Sequence, residues 1–195
     1  MSSSQHLPNT TCRVLLLIDV QVHMLRDPED GGVPAMHIVR QNIEDILTTA
    51  RSEKLPPQII HVRNSGEPSE PDEPNTPGWQ LFFPPLPNEP IIDKQKNNAF
   101  ADTRLGGLIP AYAEVIVVGM QSDYCIRATC SAALGRGNVV ILIRGAHATF
   151  DRNEIWNDGS ITKAHVIEGE VEAELEEAGV NLLDMKDLPD LFTDR

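Results

Sequence analysis

The sequence lacks the features of a membrane or secreted protein. No apolar run approaches the roughly 18 residues that would suggest a membrane-spanning helix. The opening residues, MSSSQHLPNT, lack the apolar core of a signal peptide. The three cysteines are an odd number, and they follow the spacing of neither a disulfide framework nor a CxxC metal site. We therefore expect a cytoplasmic protein of a reducing compartment that does not bind membranes.

Basic residues and cofactor motifs are also scarce. The chain has 16 basic and 29 acidic residues, a formal net charge of −13, which repels phosphate backbones and argues against a nucleic-acid partner. No GxGxxG, GxxxxGK[ST], HExxH or EF-hand pattern is present. The six histidines are scattered along the chain. We therefore predict neither an organic cofactor nor a metal site.

The length and the hydrophobic pattern predict an α/β fold. A chain of 195 residues suits one domain, which we place at residues 13–195 after an N-terminal tail at residues 1–12. Short, continuous, β-branched runs are typical of parallel strands buried on both faces. These runs lie at residues 14–18, 58–62, 90–92, 114–118, 138–143 and 180–183.

Helices are predicted between these strands. One covers residues 34–51, the second begins at Ser122 or Asp123 and ends near residue 135, and the third runs from Ser160 to Gly179. The alternation predicts a parallel sheet with helices on both sides, a three-layer α/β/α Rossmann-like fold. Residues 65–90 contain eight prolines, so we expect an irregular loop there that serves as a lid or pocket wall.

Three residues at strand ends could carry chemistry. Asp19 ends the first strand, Lys94 follows the third, and Cys125 follows the fourth, in the first turn of a helix. Sites in parallel sheets form at the carboxyl ends of strands. Together these residues would supply a base, a cation and a nucleophile for acyl transfer, with the helix N-terminus and the cation favouring a thiolate. Taken singly, each also fits an ordinary surface acid, a solvated lysine or a buried inert cysteine.

Three neighbouring residues are weaker candidates for a role in catalysis. Cys130 is predicted to be a buried, inert cysteine. His23, four residues after Asp19, could face the same cleft. Gly119 would allow the tight turn out of the fourth strand.

At these positions the sequence resembles the isochorismatase-like cysteine hydrolase superfamily. The segment LLLIDVQ resembles its first-strand motif, with Asp19 at the acid position, and KQKNNAF resembles its lysine motif, with Lys94 as the lysine. The segment VVGMQSDYCIRATCSAALGRG resembles its nucleophile segment, with Cys125 as the nucleophile. The resemblance extends from Val14 to about Leu183.

The resemblance implies further properties. It implies a six-stranded parallel sheet, assembly into a homodimer or homotetramer, and a cis peptide at Met120–Gln121. It also implies that the backbone amides of Gln121 and Cys125 form an oxyanion hole. The substrate it implies is a small amide or ureido compound, whose C–N bond is cleaved through a thioester on Cys125.

Departures from the family pattern narrow the function. The namesake isochorismatases cleave a vinyl ether and usually lack the cysteine, whereas Cys125 is present here. The zinc-binding nicotinamidases carry an Asp-x-His motif and further histidines after the second strand, whereas the corresponding region of this chain, HVRNSGEPSEPDEPNTPGW, contains His61 alone. Met24 stands where many members have Phe and could reshape the pocket. A vinyl ether hydrolase and a non-catalytic binding protein remain as alternatives.

Four residues are predicted to line the substrate pocket because they flank the catalytic segments or lie in the proline-rich loop. They are Gln21, Trp79, Asn98 and Phe100. Simple packing is the alternative for each, and especially for the two aromatic side chains.

Overall fold

Eight strands form one parallel sheet and one hairpin in the computed structural model, which describes residues 12–155 and 159–193. The strands are β1 (Arg13–Ile18), β2 (Gln58–Asn64), β3 (Ile91–Lys94), β4 (Glu114–Met120), β5 (Val139–Ala148), β6 (Arg152–Glu154), β7 (Ser160–Thr162) and β8 (Asn181–Leu183). Six of them pair in the order β3-β2-β1-β4-β5-β8, and all of these pairs are parallel. The predicted six-stranded parallel sheet is confirmed.

Helices cover both faces of this sheet. They are α1 (Met36–Ser52), α2 (Leu105–Leu108), α3 (Arg127–Gly135), α4 (Ala164–Ala178) and α5 (Leu188–Leu191). Side chains of β1 alternate between the two resulting cores. Leu16 and Ile18 pack with α3 and α4, whereas Leu15 and Leu17 pack with α1 and α5. Burial of each such side chain contributes about 1.5–3 kcal/mol, so both apolar layers stabilise the central strand.

Four strands extend further towards their carboxyl ends than predicted, and β4 is one of them because it continues to Met120. β2 continues to Asn64 and β3 to Lys94, and these two residues lie opposite each other in the parallel register. β5 continues to Ala148, past an irregularity in its pairing with β4. The polar ends of β2, β3 and β5 lack the apolar signal on which the prediction relied, yet the sheet still pairs them.

The predicted caps of the nucleophile helix are wrong. The segment Ser122–Ile126 is a π-helical turn that precedes α3, and Gln121 is the cap residue. The Ser122 hydroxyl bonds the His147 ring at 2.8 Å, and the Asp123 carboxylate accepts a hydrogen bond from Thr149. Tertiary partners on β5 and the loop after it therefore take the side chains that could have capped the helix.

The predicted start of the third helix is also wrong. Ser160 begins β7, which pairs with β6, and α4 begins four residues later at Ala164. The Ala164 amide donates to Asp151 at 2.8 Å, so a carboxylate from the preceding loop caps the helix. The predicted stop at Gly179 is confirmed, with this glycine in the left-handed conformation at φ 108°.

The proline-rich segment is a loop, as predicted, between the end of β2 and the start of β3. Its last part is fixed by the Glu89 carboxylate, which accepts from Arg51 at 2.7 and 2.8 Å and contacts the His61 ring at 2.9 Å. It also accepts from the Leu86 amide at 2.9 Å. Burial acts to raise the pKa of Glu89, but these hydrogen bonds outweigh burial and hold the pKa at about 2.

This depressed pKa predicts acid sensitivity. Because the Glu89 pKa lies below its ordinary value of 4.5, its stabilisation is complete above pH 4.5 and is lost as pH falls through about 2. We expect E89Q to lower the free energy of unfolding by about 3 kcal/mol at pH 7, and the gap to wild type to narrow below pH 4. Urea denaturation at pH 7, 5 and 3 measures this, with the exposed acid variant E44Q as control. A gap of equal size at all three pH values would contradict the prediction.

The predicted N-terminal tail at residues 1–12 lies outside the described residues except for Cys12. The Cys12 carbonyl accepts a hydrogen bond from the Glu114 amide at the start of β4. In the part of the chain that the structure describes, no helix is long and apolar enough to cross a membrane.

Candidate active site

The three strand-end residues meet at the carboxyl edge of the sheet. Lys94 Nζ lies 2.8 Å from Asp19 Oδ2 and 3.2 Å from Cys125 Sγ. Lys94 stands two strands away from Asp19, and its long side chain spans β2 to reach it. The residues are buried, with exposed fractions of 1% for Asp19, 2% for Lys94 and 9% for Cys125. An acid, a cation and a thiol therefore share one site.

Local backbone geometry permits this meeting. Asp19 has a φ of 51°, in the left-handed region that aspartate tolerates better than most residues. Gly119 has a φ of 127°, and any side chain there would collide with the Ile18 carbonyl of the adjacent strand. The predicted role of Gly119 in the turn out of β4 agrees with this contact. The Met120–Gln121 peptide that follows is cis, as the resemblance implied.

Asn64 completes the coordination of the lysine. Its Oδ1 accepts from Lys94 Nζ at 3.1 Å, so the ammonium group has three acceptors, one for each of its protons. Asn64 Nδ2 in turn donates to Asp72 Oδ2 at 2.6 Å. The lysine is thereby fixed between the acid and the thiol, and it is connected to the proline-rich loop.

The surroundings of Cys125 disfavour its thiolate form. Burial raises the pKa of Cys125 to about 12, and the Asp19 charge adds to this effect while Lys94 opposes it. The helix N-terminus and the cation were expected to favour a thiolate, but burial and the nearby carboxylate outweigh the cation in their effect on this pKa. Deprotonation of this thiol requires an adjacent base.

Asp19 has the properties of such a base. Burial raises its pKa, and this effect outweighs the opposing attraction of Lys94. Its Oδ1 oxygen is buried and has no hydrogen-bond partner among the described residues. Burial acts to lower the pKa of Lys94, but Asp19 and Cys125 outweigh it, so the pKa is raised and the lysine stays charged.

Residues behind the nucleophile turn hold it in place. Ser122 is connected through His147 to Glu172, whose carboxylate lies 3.2 Å from His147 Nε2. The Gln121 carbonyl accepts from the amides of Tyr124 and Ile126 within the turn. Gln121 and Cys125 both border the cavity in front of the turn.

That cavity has a volume of about 490 Å³. Asp19, Asn64 and Cys125 border it, and its other lining side chains include His23, Met24, Arg26, Glu70, Asp72, Asn97, Tyr124 and Phe150. The expectation that the proline-rich loop forms a pocket wall fits Glu70, Pro71 and Asp72 on the cavity. His23 also faces it, as the sequence suggested, with Nδ1 held 3.0 Å from the Gly78 carbonyl.

The four predicted wall residues do not border this cavity. Gln21 is fully buried, and its side-chain amide bonds both backbone groups of Asn64 and the Trp79 carbonyl, each at 3.0 Å. The Trp79 ring lies under the Arg63 guanidinium at 3.3 Å. Both side chains contact β2 and the proline-rich loop, so they stabilise the wall of the cavity without bordering the cavity itself.

The other two wall candidates also have structural roles. The Asn98 side chain accepts from the Phe100 amide at 2.9 Å. Phe100 packs against the α3 and α4 core, with the Arg136 guanidinium over its ring. Asn97, one residue earlier, is the asparagine that borders the cavity, with Oδ1 3.8 Å from Cys125 Sγ.

No metal cluster accompanies this site in the described residues, where no group of three or more His, Cys, Asp and Glu side chains converges. His61, the histidine of interest for a zinc site, is paired with Glu89.

The fold and the site define a class of protein: an α/β protein with an acid, a lysine and a cysteine at the carboxyl edge of a parallel sheet. The chain belongs to the isochorismatase family, because the family model described as Isochorismatase domain matches residues 13–167.

Individual relatives agree with this assignment. A streptothricin hydrolase of Streptomyces noursei is 38% identical over 143 residues, which are 71% of this chain and 55% of that protein. An uncharacterized isochorismatase family protein of Bacillus subtilis is 31% identical over 144 residues, covering 69% of this chain and 77% of that protein. The crystal structure of an isochorismatase from Pseudomonas putida has a TM-score of 0.80 and 27% identity, over 90% of this chain and 89% of that one. This chain spans about half the length of the streptothricin hydrolase that it matches.

Proposed function

We propose that this protein is a cysteine-dependent amidohydrolase that cleaves a C–N bond of a small amide or ureido compound through a thioester. The observation that carries the proposal is the contact of Lys94 with both Asp19 and Cys125, two residues that border one cavity. The similarity to a streptothricin hydrolase supports amide hydrolysis as the reaction class.

In the first step, Asp19 takes the Cys125 proton as the sulfur attacks the substrate carbonyl carbon. The C=O π electrons move to the oxygen, which becomes an oxyanion. The backbone amides of Gln121 and Cys125 are the proposed donors to this oxyanion, a contact worth about 2.7–4 kcal/mol per donor. Lys94 remains charged and stabilises the developing thiolate.

In the second step, the oxyanion collapses and the C–N bond breaks. Asp19 returns its proton to the leaving nitrogen, which departs as ammonia or an amine. Water then attacks the thioester while Asp19 takes a proton from it, and collapse releases the acid and re-forms the thiol. All protons and electrons are accounted for in these steps, and no cofactor is required.

The substrate class includes ureido compounds, biuret-like molecules, carbamoyl amines, simple carboxamides and cyclic amides of the streptothricin type. The cavity of about 490 Å³ lies within the range of small-molecule sites.

Trapping of the thioester tests this function. We expect ammonia or amine release from at least one compound of this panel, and acid quenching during turnover should leave an acyl group on the Cys125 peptide, detectable by mass spectrometry. Cys130 is an internal control, because it is fully buried and should carry no acyl group. Turnover with no acyl group on Cys125 at any quench time would overturn the covalent mechanism.

A further inference from the structure

Two carboxylates converge on one wall of the cavity. Asp72 Oδ1 and Glu70 Oε2 both lie within 2.6 Å of the point where a side chain on residue 66 would begin. Gly66 leaves that space open, so the two acidic groups can approach each other over its backbone. Both border the cavity that holds Asp19 and Cys125.

The protein gives these acids little compensation. Asp72 is only 7% exposed and receives one side-chain hydrogen bond, from Asn64, whereas Glu70 is exposed and accepts from the Glu67 amide at 2.6 Å. No Lys, Arg or His nitrogen of residues 12–155 and 159–193 lies within ion-pair distance of either carboxylate. A buried carboxylate without a cation is costly, and a bound cationic group would relieve that cost.

A second observation points to a ligand in the same place. Asp19 Oδ1 is buried, has no hydrogen-bond partner in the described part of the chain, and belongs to the same cavity. The Asp72 charge also reaches Asp19, where it contributes to raising the pKa of that carboxyl group. The acidic wall, which consists of Glu70 and Asp72, therefore influences the electrostatic potential in the space where a substrate binds.

Arg26 is the opposing charge on the cavity, since Asp19 and Lys94 neutralise each other. Arg26 is exposed, and its guanidinium lies over Gly31 at the rim. Solvent screens an exposed charge far more than a buried one, so Asp72 dominates the potential inside the cavity. The net charge of −13 acts in the same direction by attracting cations to the molecule.

We propose that Glu70 and Asp72 form a subsite for a protonated amine or a guanidinium group, so that the amide hydrolysed here is cationic. The proposal rests on the proposed function for the reaction, and it adds the charge of the substrate. The Asp72 carboxylate is connected to Lys94 through the single side chain of Asn64. In a substrate bound at both places, the cationic group is therefore only a few covalent bonds away from the carbonyl that Cys125 attacks.

Charged thiol reagents test the subsite without relying on turnover. Cys125 is treated with 2-(trimethylammonio)ethyl methanethiosulfonate or with its anionic 2-sulfonatoethyl analogue, and modification of the Cys125 peptide is followed by mass spectrometry. Both reagents react with the same thiolate, so the ratio of the two rates does not depend on the fraction of Cys125 that is ionised. After correction for the rates with a free thiol, we expect the cationic reagent to react roughly tenfold faster or more.

Matched variants assign the preference to the acidic wall. D72N should reduce the ratio roughly fivefold, E70Q should reduce it by a smaller factor because Glu70 is exposed, and E67Q, an exposed acid of the same loop that does not border the cavity, should leave it unchanged. In the turnover arm, 5-aminopentanamide should have a higher kcat/KM than pentanamide, and glutaramate should have the lowest. A ratio near one, or a preference for the anionic reagent, would overturn the subsite.

The two arms separate failure of the subsite from failure of the proposed function. The protein could prefer the cationic reagent at Cys125 and yet hydrolyse none of the three amides or the wider panel. That result would support the subsite and contradict the proposed hydrolase function. Values of kcat/KM that do not depend on the charge of the substrate would support the hydrolase function and contradict the subsite.

Discussion

Replacing Cys125 by alanine is expected to abolish amide hydrolysis, with a loss of kcat of about 10⁴-fold or more. The reason is that, among residues 12–155 and 159–193, no other thiol or hydroxyl stands in the position of Cys125 Sγ, 3.2 Å from Lys94 Nζ and on the cavity. Ammonia release from the panel of small amides and ureides measures the effect. The variant should remain folded, since alanine leaves the turn Ser122–Ile126 with its backbone hydrogen bonds.

Cys130 provides the matched control for this experiment. Burial alone raises its pKa to about 12, the same value as for Cys125, yet it lies in the apolar core among α3 and α4 rather than beside Asp19 and Lys94. C130A should therefore keep most of the turnover. If C125A retained turnover of isochorismate, the vinyl ether hydrolase would be the correct alternative. If no electrophile labelled Cys125 in the wild type, the binding-only alternative would gain support.

The fold was predictable because its signals are local. The runs at 14–18 and 114–118 are continuous and β-branched, and both became neighbouring parallel strands. The start of α4 was not predictable in the same way. Ser160 has the chemistry of a cap, but pairing of β7 with β6 places it in a strand, and Asp151 from another segment caps the helix instead.

The site was predictable in part. Asp19, Lys94 and Cys125 stand at strand ends and in family motifs, so both sequence position and resemblance indicated them. Asn64 and Asp72 were missed because their importance comes from contacts with Lys94 and with each other. These contacts arise only when β2 and β3 pair and the proline-rich loop folds over them.

The pocket walls show how sequence proximity can mislead. Asn97 and Asn98 are adjacent and chemically identical, yet one borders the cavity and the other bonds the Phe100 amide. Gln21 follows the acid by two residues, but its amide is used to bind β2 to the loop. The direction of a side chain in an irregular segment depends on tertiary partners, which neither composition nor spacing reveals.

Asp19 is expected to have opposite effects on turnover and on thiol reactivity. In D19N the general base and acid is lost, so kcat should fall about 10²- to 10⁴-fold. The same change removes the negative charge that helps to raise the Cys125 pKa and leaves the Lys94 charge that lowers it. The thiol pKa should therefore fall from about 12, and alkylation of Cys125 by iodoacetamide at pH 8 should become faster than in the wild type.

The pH midpoint of Cys125 alkylation, followed on the isolated peptide, measures the second effect. D93N is the control, because the Asp93 side chain is half exposed, pairs with Arg63, and precedes Lys94 on the opposite side of β3. It should change neither the midpoint nor kcat by more than a small factor. An alkylation midpoint in D19N at or above that of the wild type would show that burial alone sets the thiol pKa. Asp19 would then act on the substrate nitrogen rather than on the sulfur.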